Sequence, residues 1–132
     1  MPTTVTIPDP VVAEVNEETT FSYTTILEDE DGNPIAASAI DSITCTIRES
    51  ASGDIVNTRD AQDVKNTNNG TIHATSGLFT FAFQQGDTGI INTDVEYGQM
   101  EEHLVTFVVV YSTSRKASRN LIIRVKSLQD VT

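Results

Sequence analysis

The clearest feature of the chain is a strict alternation of apolar and polar side chains over short segments. Residues 43–48 place Ile43, Cys45 and Ile47 on one parity, and residues 78–83 place three phenylalanines on one parity. A period of two is the spacing of a strand with one buried face, so both segments are predicted strands with Cys45 and the phenylalanines turned inward. Further predicted strands are Thr19–Glu28, a hairpin partner at Ile55–Val56, Thr71–Ala74, Glu102–Tyr111 and Asn120–Ser127.

The spacing of these segments predicts the fold class. Turn-forming residues separate them about every ten positions, and no segment of ten or more residues has a helical stripe. Residues 84–100 have no clean period and are predicted to be a loop with a short helical turn, whereas residues 104–111 are apolar on both parities, as in a strand covered on both faces. The pattern indicates an all-β, immunoglobulin-like β-sandwich of six to seven antiparallel strands over residues 19–132.

Residues 1–18 have a different character. They contain three prolines, have no helical period, and carry their apolar side chains in short pieces. Proline removes a ladder donor and favours extended backbone, so we expect an extended N-terminal arm that frays or lies along a neighbour. The apolar residues we expect at such a contact are Val5, Ile7, Val11 and Val12.

Composition and charge limit the classes of binding partner that the chain could have. The chain has 132 residues, enough for one domain, and its net charge is −11. Residues 1–64 carry 13 acidic residues against 2 arginines, while residues 65–132 carry 6 of each sign. This balance opposes nucleic-acid binding, which needs an excess of basic residues. The acidic half is either a solubilising surface or a face that docks on a basic partner.

The remaining compositional features concern location. The longest wholly apolar run, Phe107–Tyr111, is far too short to span a membrane, and we expect no secretion signal. The single cysteine, Cys45, cannot form an internal disulfide, which suits a reducing compartment. We therefore expect neither a membrane nor a nucleic acid as partner, and no cofactor.

The order of turns and strands resembles a known group of proteins. The resemblance rests on a strand ending in an acidic Asp-Gly-x-Pro turn, a period-two strand with a short hairpin partner, a "G-x-x-x-x-T-S-G-x-x-T" approach to an aromatic strand, an "x-D-T" loop and two final strands around a basic turn. These pieces lie within Phe21–Pro34, Ile43–Val56, Gly70–Thr80, Gly86-Asp87-Thr88 and Leu104–Val125. The arrangement is similar to that of the small immunoglobulin-like structural proteins of tailed-bacteriophage virions, including the amino-terminal domain of the baseplate upper protein family.

The resemblance implies a non-enzymatic virion protein, assembled in the host cytoplasm and held by contacts with other virion proteins as a homo-oligomer in the particle. We first expect a capsid decoration or cement protein, which would bind the coat shell through its β-sandwich and its N-terminal arm. A neck or head-tail connector, or a tail or baseplate component, is the alternative. A module that binds the host surface is the least favoured alternative. It would need exposed aromatic residues, whereas the phenylalanines of residues 78–83 are predicted to lie in the core.

Several motifs could instead carry chemistry. Asp87-Thr88-Gly89 matches the catalytic triplet of aspartic proteases, but Gln84-Gln85-Gly86 precedes it where those enzymes have an apolar strand, so a turn is predicted. The acidic run at residues 28–33 lacks the spacing of an EF-hand, which leaves a solvated hairpin or a looser cation site. His73 and His103 are single histidines with no partner at catalytic or metal spacing.

The only basic cluster is Arg115, Lys116 and Arg119, which we predict in the turn before the last strand. Three basic residues in a turn are ordinarily a solvated surface. The alternative is that this tip meets an acidic surface, such as the acidic half of another copy. We therefore include these three residues with the four of the arm as the expected protein interface.

Overall fold

The computed structural model describes residues 11–128, which form two β-sheets and two short 3₁₀ turns. The five-stranded sheet has the order β1-β8-β7-β3-β4, and the three-stranded sheet has the order β2-β6-β5. The strands are β1 (Val11–Asn16), β2 (Phe21–Ile26), β3 (Ile40–Glu49), β4 (Gln62–Asp63), β5 (Gly70–Ile72), β6 (Leu78–Phe83), β7 (Met100–Tyr111) and β8 (Arg115–Lys126). The 3₁₀ turns are Ala37–Ala39 and Gln85–Thr88.

The apolar faces of the two sheets meet in an aromatic core, the arrangement of a β-sandwich. Phe107 of β7 packs edge-on against Phe79 and Phe81 of β6, with ring centroids 5.2 and 5.3 Å apart. All three rings are fully buried, as is Cys45 on β3. The prediction that the phenylalanines of residues 78–83 form the core is therefore confirmed, as are the all-β class and the short helical turn within residues 84–100.

The N-terminal part of the described chain corrects one prediction. Residues 11–16, assigned by sequence to the arm of residues 1–18, form β1 and pair in parallel with β8 from Val11↔Leu121 to Asn16↔Lys126. Ala13 and Val15 pack against the core, which explains why this segment joins the sheet. The expectation of purely antiparallel strands is thus wrong at β1, and residues 11–128 contain eight strands where six to seven were expected. Val5 and Ile7 lie outside the described residues.

The basic cluster is also placed differently. Arg115, Lys116 and Arg119 lie within β8, because the turn between β7 and β8 is confined to residues 112–114. Ser112 and Thr113 have φ of 47° and 66° there, the positive values that a tight hairpin turn needs. The position of this turn was not predicted, because glycine or asparagine ordinarily supplies positive φ angles and the sequence has serine and threonine there.

Strand β7 corrects a further expectation. Its inner residues Val105, Phe107 and Val109 are fully buried, but Leu104 on the other parity is 40% exposed. The strand is therefore covered on one face only within residues 11–128. The apolar residues on its second parity belong to the solvent-facing side of the five-stranded sheet. Among the described residues, no helix is long and apolar enough to cross a membrane.

Candidate functional site

The solvent-facing side of the five-stranded sheet, here called the outer face, carries an apolar row. The strand registers place Val12 of β1, Ile122 of β8 and Leu104 of β7 side by side. Val12 is 48% exposed, Ile122 is half-buried and Leu104 is 40% exposed. Three adjacent apolar side chains across three strands form a short hydrophobic surface that no strand within residues 11–128 covers.

A charged row lies next to the apolar row. Arg124 of β8 sits between Glu14 of β1, 3.9 Å from its nearest carboxylate oxygen, and Glu102 of β7, 3.6 Å from its nearest oxygen. Such exposed pairs contribute little stability. The two ion pairs hold the Arg124 side chain between two carboxylates, next to the apolar row. This arrangement favours a protein partner whose charged groups are complementary to it.

A shallow groove of about 470 Å³ opens where β1 ends. It combines charged and apolar groups, and its lining consists of Glu14, Val15, Asn16, Thr19, Met100 and Lys126. Met100 is 45% exposed and Lys126 lies beside it in register. The groove therefore continues the outer face to the end of strands β1, β8 and β7, and its mixed lining suits one or two side chains of a protein partner.

The expected apolar interface residues are only partly brought together. Val12 lies on the outer face, and Val11 is held in β1 through its backbone pairing with Leu121. Val5 and Ile7 are in the segment outside the described residues. The outer face instead adds Ile122 and Leu104. Leu104 was missed because the sequence pattern assigned it to a doubly covered strand.

The three basic residues do not form one free patch. The Arg115 guanidinium makes an ion pair with the carboxylate of Glu30 in the acidic turn of the same chain. Arg119 donates from Nη2 to the backbone oxygen of Ile26 at 3.1 Å, while Lys116 is exposed. Arg115 thus already meets an acidic partner within its own chain.

The acidic turn is organised by its own backbone. One carboxylate oxygen of Asp29 accepts from the N–H groups of Asp31 and Asn33, both at 2.9 Å. Tyr111 donates its hydroxyl to Glu30 at 2.8 Å, and its pKa is raised by burial and by the charges of the neighbouring aspartates. Between residues 11 and 128, no group of three or more acidic, histidine or cysteine side chains is arranged to hold a metal ion.

Asp87 of the protease-like triplet is the centre of a buried polar cluster. Its two carboxylate oxygens accept from Arg59, with Nε at 2.7 Å and Nη2 at 3.0 Å. Asn57 Nδ2 and the Gln84 N–H donate to the same carboxylate at 2.9 and 2.8 Å. The Arg59 guanidinium also lies 4.8 Å from the centre of the Phe81 ring. A carboxylate fixed by four donors is a structural anchor, because sharing a proton with a second aspartate would require it to give up these partners.

His103 extends this cluster to the neighbouring loop. The ring is fully buried, with Nδ1 3.0 Å from the backbone oxygen of Asp87 and Nε2 2.5 Å from a carboxylate oxygen of Glu101. The Glu101 carboxylate in turn accepts from the N–H groups of Ile91 and Asn92 at 3.0 and 2.7 Å. Both ring nitrogens face acceptors, so the histidine ties residues 84–92 to β7.

Two further buried groups have shifted pKa values. Burial raises the pKa of the Cys45 thiol to about 12, which keeps it protonated and unreactive. Burial also raises the pKa of Glu49, but hydrogen bonds from Ala51 and Ser52 and the nearby His103 lower it more, so the net shift is downward.

Comparison with known proteins adds no family: no family model matches the chain, and no curated protein matches it either.

Proposed function

We propose that the chain is a non-enzymatic structural protein of a tailed-bacteriophage virion, and that it decorates or cements the capsid. The observation that supports a binding role is the outer face, where Val12, Ile122 and Leu104 form an exposed apolar row on a two-sheet scaffold. The virion setting and an immunoglobulin-like topology are proposed from the resemblance in strand and turn order.

The proposed mechanism is mechanical. The sandwich lies across a junction between coat subunits, and the outer face and the N-terminal segment supply the contacts. Strands β1, β8 and β7 hold the side chains of the outer face in fixed positions, which limits the entropy lost on binding. The acidic first half of the chain favours docking on a basic surface of the shell and keeps neighbouring copies apart.

A pair of variants tests the role of the outer face. Leu104→Arg places a charge at the β7 end of the apolar row, whereas Thr24→Arg places the same charge on an exposed position of β2 in the other sheet. We expect Leu104→Arg to reduce the amount of chain bound to particles by at least about tenfold, and Thr24→Arg to leave it unchanged. Occupancy is measured by quantitative mass spectrometry of particles assembled with each variant.

Equal occupancy for both variants would contradict docking through the outer face. Circular dichroism and the urea midpoint of each purified variant establish that a loss of occupancy does not come from unfolding. If Thr24→Arg alone lowers occupancy, the contact lies on the three-stranded sheet and the proposal is wrong about the surface.

A further inference from the structure

The turn between β4 and β5 contains the Asn-Gly pair of the sequence, Asn69-Gly70. In such a pair the backbone nitrogen of the glycine can attack the side-chain amide carbon of the asparagine, because glycine has no side chain to hinder the approach. The N–Cγ bond forms, the Cγ–Nδ2 bond breaks, and ammonia leaves with the proton of the glycine nitrogen. Water then opens the five-membered imide, which gives aspartate, or isoaspartate when the main chain runs through the side-chain carbon.

The fold requires this pair of residues. A Cβ added at Gly70 would lie 2.0 Å from the Val64 backbone oxygen, far inside van der Waals contact, so no side chain fits there. Asn69 has φ of 78°, a left-handed conformation that asparagine adopts more readily than most residues. Position 70 therefore accepts only glycine, and position 69 favours asparagine or glycine.

The folded chain engages both groups that would react. The Gly70 N–H donates to the Thr67 oxygen at 3.0 Å, so the attacking nitrogen is held in a turn hydrogen bond. The Asn69 side-chain oxygen accepts from Arg59 Nη2 at 2.9 Å, and the Asn69 backbone oxygen accepts from the Ala82 N–H at 2.9 Å. Loss of the Gly70 proton breaks the first of these bonds, and closing the ring has to move atoms that the other two bonds hold.

The side chain that holds Asn69 is itself fixed. Arg59 is 4% exposed, and both carboxylate oxygens of Asp87 accept from it. Its Nη1 also donates to the Asn68 backbone oxygen at 3.0 Å and to Gln62 Oε1 at 2.7 Å. Opening the turn at Asn69 therefore disturbs the buried cluster around Arg59, which opposes such opening.

We propose that Asn69 is a latent deamidation site, which the folded chain protects and which reacts when the turn opens. Chemical modification of the unfolded state is one reason why unfolding becomes irreversible. Isoaspartate at position 69 would lengthen the main chain by one carbon, next to the close contact of Gly70 with Val64. It would also displace the oxygen that accepts from Ala82, so a chain modified in this way should not refold to the same turn. This inference does not depend on the proposed function.

Incubation of the full chain at pH 8, with and without urea, tests the proposal. Peptide mass spectrometry with fragment assignment measures the conversion of Asn69. We expect this conversion to be at least about tenfold slower in the folded chain than in the unfolded chain. Arg59→Lys keeps the positive charge but loses the planar fork that binds Asn69 and Asp87, so we expect faster conversion in that folded variant.

Refolding after the urea incubation tests the consequence. Asn69→Gly removes the reactive amide and suits the positive φ, whereas Asn68→Gly, at φ of 49°, leaves the Asn-Gly pair intact. We expect the refolded fraction of the unmodified chain and of Asn68→Gly to fall in step with the isoaspartate formed at position 69. The refolded fraction of Asn69→Gly should stay constant.

The unmodified chain alone can refute the proposal, whether or not the variants fold. Equal conversion of Asn69 with and without urea would overturn the protection by the fold. An Asn69 that stays unchanged in urea while other asparagines convert would overturn the site itself. Full refolding of chains that carry isoaspartate at position 69 would overturn the consequence assigned to the modification.

Discussion

Replacing Asp87 by asparagine tests how the buried polar cluster holds the loop against the sandwich. The side chain is fully buried, and its partner Arg59 is 4% exposed. Asparagine keeps one oxygen that can accept from Arg59 Nε and Asn57. It replaces the oxygen that accepts from Arg59 Nη2 and the Gln84 N–H by an NH₂ group, which is itself a donor.

The magnitude follows from these contacts. Two donors lose their acceptor, the buried Arg59 Nη2 and the partly buried Gln84 N–H, and an unsatisfied buried donor costs about 1–3 kcal/mol. The Arg59 charge also loses its counter-ion, and breaking a buried pair in this way costs about 3–5 kcal/mol in measured cases. We therefore expect Asp87→Asn to lower the free energy of unfolding by about 3–5 kcal/mol, a large part of the stability of an ordinary domain.

Urea unfolding followed by circular dichroism measures this difference. Asp60→Asn is the matched control, since Asp60 is exposed, and we expect it to change stability by less than about 0.5 kcal/mol. The double variant Arg59→Met, Asp87→Leu should recover only the part of the loss that comes from the unpaired Arg59 charge, because the Asn57 and Gln84 donors still lack their acceptor. An Asp87→Asn protein within about 1 kcal/mol of the unmodified chain would refute the structural role assigned to the pair.

Two further predictions follow from the shifted pKa values. Cys45 should not react with a thiol reagent at pH 8 in the folded protein and should react fully in urea, since burial raises its pKa to about 12; rapid labelling of the folded chain would contradict its placement. The pKa of Glu49 in the folded state lies below its ordinary value of 4.5. The ionised side chain therefore stabilises the fold above pH 4.5, and this contribution is lost as the pH falls through the folded-state pKa. The stability difference between the unmodified chain and Glu49→Gln, measured by urea unfolding, should be full at pH 7 and shrink below about pH 4.5; a difference that grows with acid would reverse the sign.

The strands with one buried face could be predicted from the sequence. Residues 78–83 and the inward-facing Cys45 were predicted correctly because a period of two directly reflects which side chains meet the core. A turn between the last two strands was predicted, but its confinement to residues 112–114 was not, since serine and threonine there adopt the backbone angles that glycine or asparagine ordinarily supplies.

Contacts between residues far apart in the chain could not be predicted from the local pattern of apolar and polar residues. Strand β1 joins the sheet through a parallel pairing with β8, and nothing in its composition distinguishes that from an arm. The Arg59–Asp87 pair and the Arg115–Glu30 pair join residues far apart in the chain. The outer face was missed for a related reason, because apolar residues on both parities of β7 suggest a second covering layer that is not present within residues 11–128.

The central claim, that this chain is a virion structural protein on the capsid, is tested most directly by counting its copies in purified phage particles. Quantitative mass spectrometry gives the ratio of this chain to the major coat protein. We expect one copy per coat subunit, or a simple fraction of it. A ratio of a few per hundred coat subunits would move the protein to the neck or tail, and absence from the particles would contradict the account.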